Sequence, residues 1–385
     1  MYLSTNNKNE CMGCTACKNI CPKEAINMVK DEEGFEYPYI DKSKCVNCEL
    51  CNNVCPWVNN NKQKTNTFYG AKLKDLSIRK ESSSGSVFTA IAKYILENRG
   101  TVYGASLEDD YIVSHIRIDN IEDISKLQKS KYVQSRLDCI FKSVKKDLKE
   151  RKLVLFTGTP CQIDGLHNYL KNDDTKNLYT CDLICHGVPS PKVFSDYLAY
   201  ISNDTKKIIR NFDFRDKKYG WGSCYETFKL NNKKIVSSKY RQLFYSDNIL
   251  RPSCYTCQYS TTNRVGDITI GDIWGIENID KNLYDRDGVS LVIINSTKGN
   301  ELFNNVKDEL NYFIVEDNKK VMQRNLVSPT SKPDSREKFW EDYKMNSFKY
   351  IINKYTKREC DRVTNPCRWF LNKVLTKIKR LVKQK

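Results

Sequence analysis

The sequence reads as an α+β protein in three parts: a small cysteine-dense module over residues 1–60, a mixed α/β domain over 61–345, and a helical tail over 346–385. Eight of the 17 cysteines fall within the first sixty residues, in a motif that occurs twice. Beyond a polar run from Asn59 to Lys64, short apolar stretches alternate with segments whose apolar residues recur at helical spacing. The last twenty residues keep that spacing while Lys and Arg fill the intervening positions.

In the opening module Cys11, Cys14, Cys17 and Cys21-Pro22 follow the pattern CxxCxxCxxxCP, and Cys45, Cys48, Cys51 and Cys55-Pro56 repeat it without deviation. Three cysteines two residues apart wrap one corner of an iron–sulfur cubane, and the fourth, after a longer step, turns toward a second one. The spacing therefore assigns Cys11, Cys14, Cys17 and Cys55 to one 4Fe-4S cluster and Cys45, Cys48, Cys51 and Cys21 to another, as in a bacterial-type ferredoxin. Gly13 and Ala16 leave room for backbone N–H groups to approach the sulfides, and such bonds tune the potential. Zinc motifs separate two CxxC pairs and need no proline after a fourth cysteine. The opening residues MYLSTNNKNEC contain no basic-then-apolar leader, and no apolar run reaches the ~18 residues of a membrane span. Cysteines in this density then point to metal in a reducing cytoplasm rather than to disulfides.

In the α/β domain, residues 101–105, 153–157, 178–184 and 289–295 read as short buried strands, and 87–98, 137–150 and 163–170 as helices. Residues 212–236 alternate like antiparallel strands about a turn at Asn231-Asn232, and 334–355 and 366–383 read as helices. Within LVLFTGTPCQIDGL (153–166), a strand, a Gly-Pro turn and a helix follow one another. Cys161 then stands near a helix N-terminus, where the dipole stabilises a thiolate. That suits a metal ligand or a nucleophile; a buried cysteine in a tight turn is the plain alternative. Cys181 and Cys185 follow, and Cys254 and Cys257 form a CxxC pair. A third cluster would draw on Cys161, one of Cys181 and Cys185, and that pair, although a lone CxxC serves equally as half a zinc site or a redox pair. Cys139, Cys224, Cys360 and Cys367 match no spacing and read as structural.

SKYVQS (130–135), GTPCQIDGL (158–166), DLICHGVPSP (182–191), the CxxC at 254–257 and GDITIGDIWGI (266–276) stand in this order. With the ferredoxin module, they make the chain resemble the beta-subunit family of coenzyme F420 hydrogenases and dehydrogenases over roughly residues 1–330. Members of that family are flavoproteins that hold FAD beside a 4Fe-4S cluster and pass hydride between the flavin and a deazaflavin coenzyme. The resemblance implies the third cluster, with Cys161, Cys185, Cys254 and Cys257 as ligands and Cys181 in reserve.

It also implies a flavin site. Ser83, Ser84, Gly85 and Ser86 precede the helix that begins near Val87, and a turn of this kind suits a pyrophosphate, or simply caps the helix. The family usually has a second glycine where this chain has Ser86. From SKYVQS the expected contacts are Lys131, Tyr132, Gln134 and Ser135, Lys131 to neutralise pyrophosphate or stabilise reduced flavin. Thr157, Gly158, Thr159 and Gln162 lie where a flavin beside Cys161 would be touched. His186 either hydrogen-bonds cluster or flavin or caps a turn, and Asp267 and Asp272 orient backbone at a strand end. No side chain is assigned a catalytic role.

The formal charge is +17, yet residues 1–60 hold six Lys against eight Asp and Glu, so the excess lies beyond them and concentrates from Lys357 on. Residues 366–385 form a basic amphipathic pattern with Trp369 and Phe370, which suits contact with an anionic membrane surface or docking on the protein's own core. Localisation is expected to be cytoplasmic, peripheral to the membrane if the tail binds it. No aromatic-basic motif speaks for nucleic acid. The PCQ triplet also occurs in cytosine methyltransferases, but no GxGxxG-like loop opens the α/β region and the clusters would go unexplained. The expected function is an iron–sulfur flavoprotein oxidoreductase passing electrons between clusters and a flavin that exchanges hydride with a diffusible small molecule, either deazaflavin-like or an intermediate of polysaccharide biosynthesis. Its one-electron partner would be a ferredoxin or another redox subunit. The alternative is a non-catalytic electron-transfer subunit feeding a partner enzyme.

Overall fold

The computed structural model describes residues 1–61, 67–202, 208–222 and 225–357, and packing divides them into two units. Met1–Lys192 and Leu250–Ser331 form the first; Val193–Ile249 and the described residues from Lys332 onward form the second. By packing, the cysteine-dense module belongs to the first unit, and residues 61–345 are shared between the two.

Between the two cysteine repeats the chain folds into an antiparallel hairpin, β1 (Ile26–Lys30) and β2 (Glu36–Ile40). The body of the first unit is one eight-stranded sheet. It comprises β3 (Thr67–Leu73), β4 (Thr101–Leu107), β5 (Val113–Ile118), β6 (Val154–Gly158) and β7 (Leu178–Leu183). After three strands of the second unit, β8 (Ile209–Asp213), β9 (Glu226–Leu230) and β10 (Lys233–Ser237), it is completed by β11 (Ile268–Asp272), β12 (Ser290–Ile294) and β13 (Leu310–Ile314). The order is β13-β3-β12-β11-β7-β6-β4-β5. β11, β7, β6 and β4 run parallel, and the strands outside them are antiparallel.

Parallel strands are covered on both faces, which is why Val154–Gly158 is buried at every position. On one face the helices Val87–Glu97 and Thr297–Val306 pack Ile91, Ile95, Leu302 and Phe303 against Val102, Leu155 and Val292. On the other, Ile140–Lys149 and Pro160–Tyr169 pack Phe141, Val144, Ile163 and Leu166 against Tyr103 and Phe156. Met12, Cys14, Ala16 and Val54 of the ferredoxin-like module join this second core.

The second unit packs Phe194 and Tyr197 on the sheet β10-β9-β8, with Phe212, Phe214 and Tyr240 closing an aromatic core. The hairpin β9–β10 turns at Asn231 and Asn232, whose φ of 47° and 68° are the left-handed pair that a two-residue hairpin demands. The expected single helix over 334–355 is two, Arg336–Met345 and Phe348–Tyr355, because Ser347 accepts from the Tyr350 N–H and starts a new one. The expected helix over 366–383 lies outside the described residues. Among the described residues no helix is long and apolar enough to cross a membrane.

Candidate functional site

The two cysteine repeats share their backbone as well as their spacing. Gly13 and Asn47 have φ of 70° and 52°, and Thr15 and Glu49 have 59° and 58°. Three of these four are not glycine, so each repeat holds the left-handed region against its steric cost. The thiols separate into sets. Cys11, Cys14, Cys17 and Cys55 line one cavity, with Cys51 also on its wall. Burial pushes Cys14, Cys17 and Cys55 upward, and each is raised further by the charges of others in that set. Backbone N–H groups of Ala16, Lys18 and Trp57 oppose this by donating to Cys14, Cys17 and Cys55 respectively. Cys51 is raised by burial and by Cys48 and Cys21. The Ala25 N–H donates to Cys21 Sγ at 3.3 Å, and Cys45 Sγ lies 3.6 Å from Asn47 Oδ1.

A second cavity is lined by Cys161, Cys185, Cys254 and Cys257 together with Met12 from the first repeat. Thr159 and Gln162 cap the helix Pro160–Tyr169 reciprocally and so fix Cys161 in its first turn. Burial pushes the Cys161 thiol up to about 12, against the Thr159 hydroxyl 3.2 Å away. A buried thiol in the first turn of a helix, facing a cavity with three other cysteines, would suit a ligand whose proton is replaced by metal. Burial also pushes Cys254 up to about 12, and the Val188 N–H donates to its sulfur at 3.4 Å. Cys181, the reserve, is fully buried in the opposite core beside Leu155 and Ile268 and does not line this cavity. Among the described residues no three His, Cys, Asp or Glu side chains form a set for a single metal ion. A cubane, with four irons between its sulfurs, draws on a wider set than a single ion does, and each of the two cavities is lined by four or more cysteines.

The expected flavin contacts gather along one edge of the sheet, where β6, β7 and β11 end at Gly158, Leu183 and Asp272. Crevices at the carboxyl ends of parallel strands are where such sheets bind ligands. Ser83 Oγ and Ser130 Oγ stand 3.2 Å apart, which joins the serine-rich turn to SKYVQS. In other respects the fit is divided. Ser84 Oγ donates to Val289 O, the Gly85 N–H to Ser290 Oγ and the Ser86 N–H to Ser83 O, so these groups already have partners. Ser86 has φ 66°, the conformation in which the family's glycine is at ease, and among the described residues its buried Oγ has no partner. Lys131 Nζ donates to the carbonyls of Lys126 and Gln128. His186 lines the Cys161 cavity, and its carbonyl accepts from the Thr330 hydroxyl. Tyr132 is half-buried.

Gln134, Ser135 and Gln162 turn inward instead. Thr157 O can only accept, so the His115 Nε2–H donates to it at 2.9 Å, and the Ser135 hydroxyl donates to His115 Nδ1. Ser135 Oγ accepts from Gln162 Nε2, and Gln162 Oε1 accepts from the Thr159 N–H. This closed relay ties SKYVQS to GTPCQ, and burial lowers His115 to about 4, so it is neutral. Gln134 Oε1 accepts from Arg251 Nη1. Asp267 Oδ2 accepts from the N–H and hydroxyl of Thr180, the strand-orienting part expected of it.

Sequence reasoning missed three buried groups. Arg251 reaches Cys11, Arg264 pairs with Asp182 at 2.7 Å with both side chains essentially inaccessible, and Asp164 accepts from the Tyr259 hydroxyl and from Asn61. Arg264 also donates to the Tyr259 and Leu183 carbonyls, so it fixes the chain just before Cys185 and just after Cys257. Asp164 ties the end of the ferredoxin-like module to the helix that carries Cys161. No spacing signals any of them; each is a single charged residue beside a cysteine motif.

The family model for the carboxyl-terminal part of the coenzyme F420 hydrogenase/dehydrogenase beta subunit matches residues 151–320. A 4Fe-4S dicluster domain matches residues 10–59. Coenzyme F420-dependent sulfite reductase of Methanocaldococcus jannaschii is 27% identical over 233 residues, 59% of this chain and 35% of the relative. The chain thus spans about a third of that relative's length. A chain in the structure of the F420-reducing nickel–iron hydrogenase complex from Methanosarcina barkeri superposes with a TM-score of 0.49 at 18% identity, covering 77% of this chain and 97% of that one.

Proposed function

The chain is a member of the coenzyme F420 hydrogenase/dehydrogenase beta-subunit family with an N-terminal 4Fe-4S dicluster domain, and from that premise we propose a three-cluster flavoenzyme. Iron–sulfur electron transfer of the oxidoreductase type is the common ground; the third cluster, the flavin and the hydride partner are the proposal. The observation that carries it is the cavity in which Cys161, Cys185, Cys254 and Cys257 meet Met12 of the ferredoxin module. Four cysteines from three separate stretches of sequence share one cavity beside the first repeat, as a relay of one-electron sites would require.

Exposure supports an order within the relay. Cys48 is exposed, whereas Cys14 is 8% exposed and packs in the core shared with the Cys161 helix. Electrons would pass between an external ferredoxin or redox subunit and the Cys45-Cys48-Cys51-Cys21 cluster, then the Cys11-Cys14-Cys17-Cys55 cluster, then the third. FAD bound along the sheet edge would supply exchange of single electrons for hydride. Thr157, Gly158 and Thr159 would border it, the His115 relay would hold that loop in place, and Lys131 would offset its phosphate charge. The diffusible hydride partner would be a deazaflavin coenzyme, as the name of the Methanocaldococcus relative suggests for that protein, or an intermediate of polysaccharide biosynthesis.

One observation favours a second reading. The Gly85 and Ser86 amides, expected to face a pyrophosphate, are satisfied within the protein, as they would be in a subunit that carries electrons without a flavin. Protein purified without oxygen and assayed for iron, acid-labile sulfide and released flavin separates the two. The flavoenzyme gives about twelve iron atoms and roughly one flavin per chain. About eight iron atoms without flavin would overturn it.

A further inference from the structure

Arg251 is fully buried, and among the described residues no carboxylate pairs with it. Its Nε donates to Cys11 O at 2.7 Å, Nη1 to Gln134 Oε1 at 2.9 Å, and Nη2 to Glu36 O at 2.9 Å. These acceptors are neutral; the Glu36 carboxylate lies instead 4.0 Å from Arg136. The guanidinium also stands 4.3 Å from the centre of the Tyr37 ring. A buried cation without a counter-charge is strongly unfavourable. The remaining contact is sulfur: Nη2 donates to Cys11 Sγ at 3.3 Å.

The cradle is built around this contact. Gly13, between Cys11 and Cys14, has φ 70°, and a side chain there would lie 2.3 Å from Gln134 Nε2 and 2.9 Å from Arg251 Nη1. The second repeat has Asn47 at that place. Among the described residues its sulfurs and that of Cys21 meet the Ala25, Cys51 and Asn52 N–H groups and the Asn47 and Asn52 side chains, and no cation.

We propose that Arg251 is the counter-ion of the Cys11 cluster and lifts the potential of this inner ferredoxin cluster above that of the outer one. The proposal rests on the three-cluster reading. Each reduction adds one negative charge to a cluster, and a buried cation that donates to a ligand sulfur stabilises the reduced form over the oxidised. An electron arriving at the outer cluster then falls inward.

The experiment is a redox titration of the anaerobically purified full-length protein, with dithionite as reductant and the clusters followed by electron paramagnetic resonance. Cys48→Ser identifies the outer cluster's signal. In the wild type the inner midpoint lies above the outer. Arg251→Gln, at wild-type iron content, lowers the inner midpoint and leaves the outer unmoved, and Arg251→Lys falls between. An unchanged inner midpoint in Arg251→Gln overturns the proposal. If that variant does not take up iron, the wild type still decides, since an inner midpoint below the outer overturns the proposal equally. Failure of the three-cluster reading itself would show earlier, as about eight rather than twelve iron atoms in the wild type.

Discussion

Two copies of one cysteine motif stand in very different surroundings. Met12 is 9% and Ala16 0% exposed, while Val46 and Leu50, their counterparts in the second repeat, are 56% and 40% exposed. Spacing and left-handed backbone are common to both, so they determine what each repeat can hold. The residues between the cysteines differ, and they decide which repeat can be buried. Gly13 admits Arg251 and Gln134, and Ala16 fits into the core beside the Cys161 helix. Asn47 and Leu50 do neither. The inner repeat is thereby packed against the rest of its unit and the outer left toward solvent, the arrangement that the proposed inward relay would use.

Removing one cysteine from each repeat has the largest expected effect. Cys14→Ser and Cys48→Ser should each cost about four iron atoms per chain. Only Cys14→Ser should also lower the thermal midpoint, because Cys14 packs in the buried core; equal midpoints would show that the inner repeat has no special structural part. Next comes Arg264→Met, which strands Asp182 without its cation and should destabilise by about 3–5 kcal/mol in denaturant unfolding. Neutralising Lys44, whose contact with Asp41 is on the exposed side, should leave the unfolding curve essentially where it is.

His115 should give the inner side a pH dependence. It takes up a proton near its ordinary 6.5 in the unfolded chain but only near 4 when folded, since burial disfavours the charged form. Between those values the unfolded state binds more protons, so stability falls as pH drops from about 6.5 toward 4 and is flat in this term above that window. The change is on the order of 3 kcal/mol, and His115→Gln should remove it from unfolding curves measured across the window. Gly165→Ala has the smallest expected effect among the changes on the inner side. Its added carbon would stand 3.0 Å from Cys14 Cβ and Sγ, an overpacking of about 1–3 kcal/mol. Leu50→Ala, on the outer repeat, should leave the unfolding midpoint where it is.

The cysteine arithmetic was legible because ligand spacing is a local property. Strands β4, β6, β7 and β12 were legible too, since each is a run of buried apolar residues. β3 was not: Gly70 and Lys72 interrupt its pattern, and Gly70 is there because the Phe313 ring of β13 lies where its side chain would be. β11 was less legible, because Gly271 and Asp272 fall within it and Gly266 and Asp267 just before it, which breaks the apolar run. Within the site, the family resemblance gathered Cys161, Cys185, Cys254 and Cys257, but it also named Gln134, Ser135 and Gln162, whose polar atoms the fold spends internally. Arg251 and Arg264 were out of reach because their partners are 240 and 82 residues away in sequence.

The direction of flow from the exposed repeat inward is tested most directly by stopped-flow reduction of the full-length protein with a reduced ferredoxin as donor. Wild type would be compared with Cys48→Ser protein that retains its inner clusters. The account predicts that the variant's inner clusters are reduced far more slowly, although their iron and their midpoints are unchanged. Equal rates would mean that electrons reach the inner clusters without the outer one, and the relay order would be wrong.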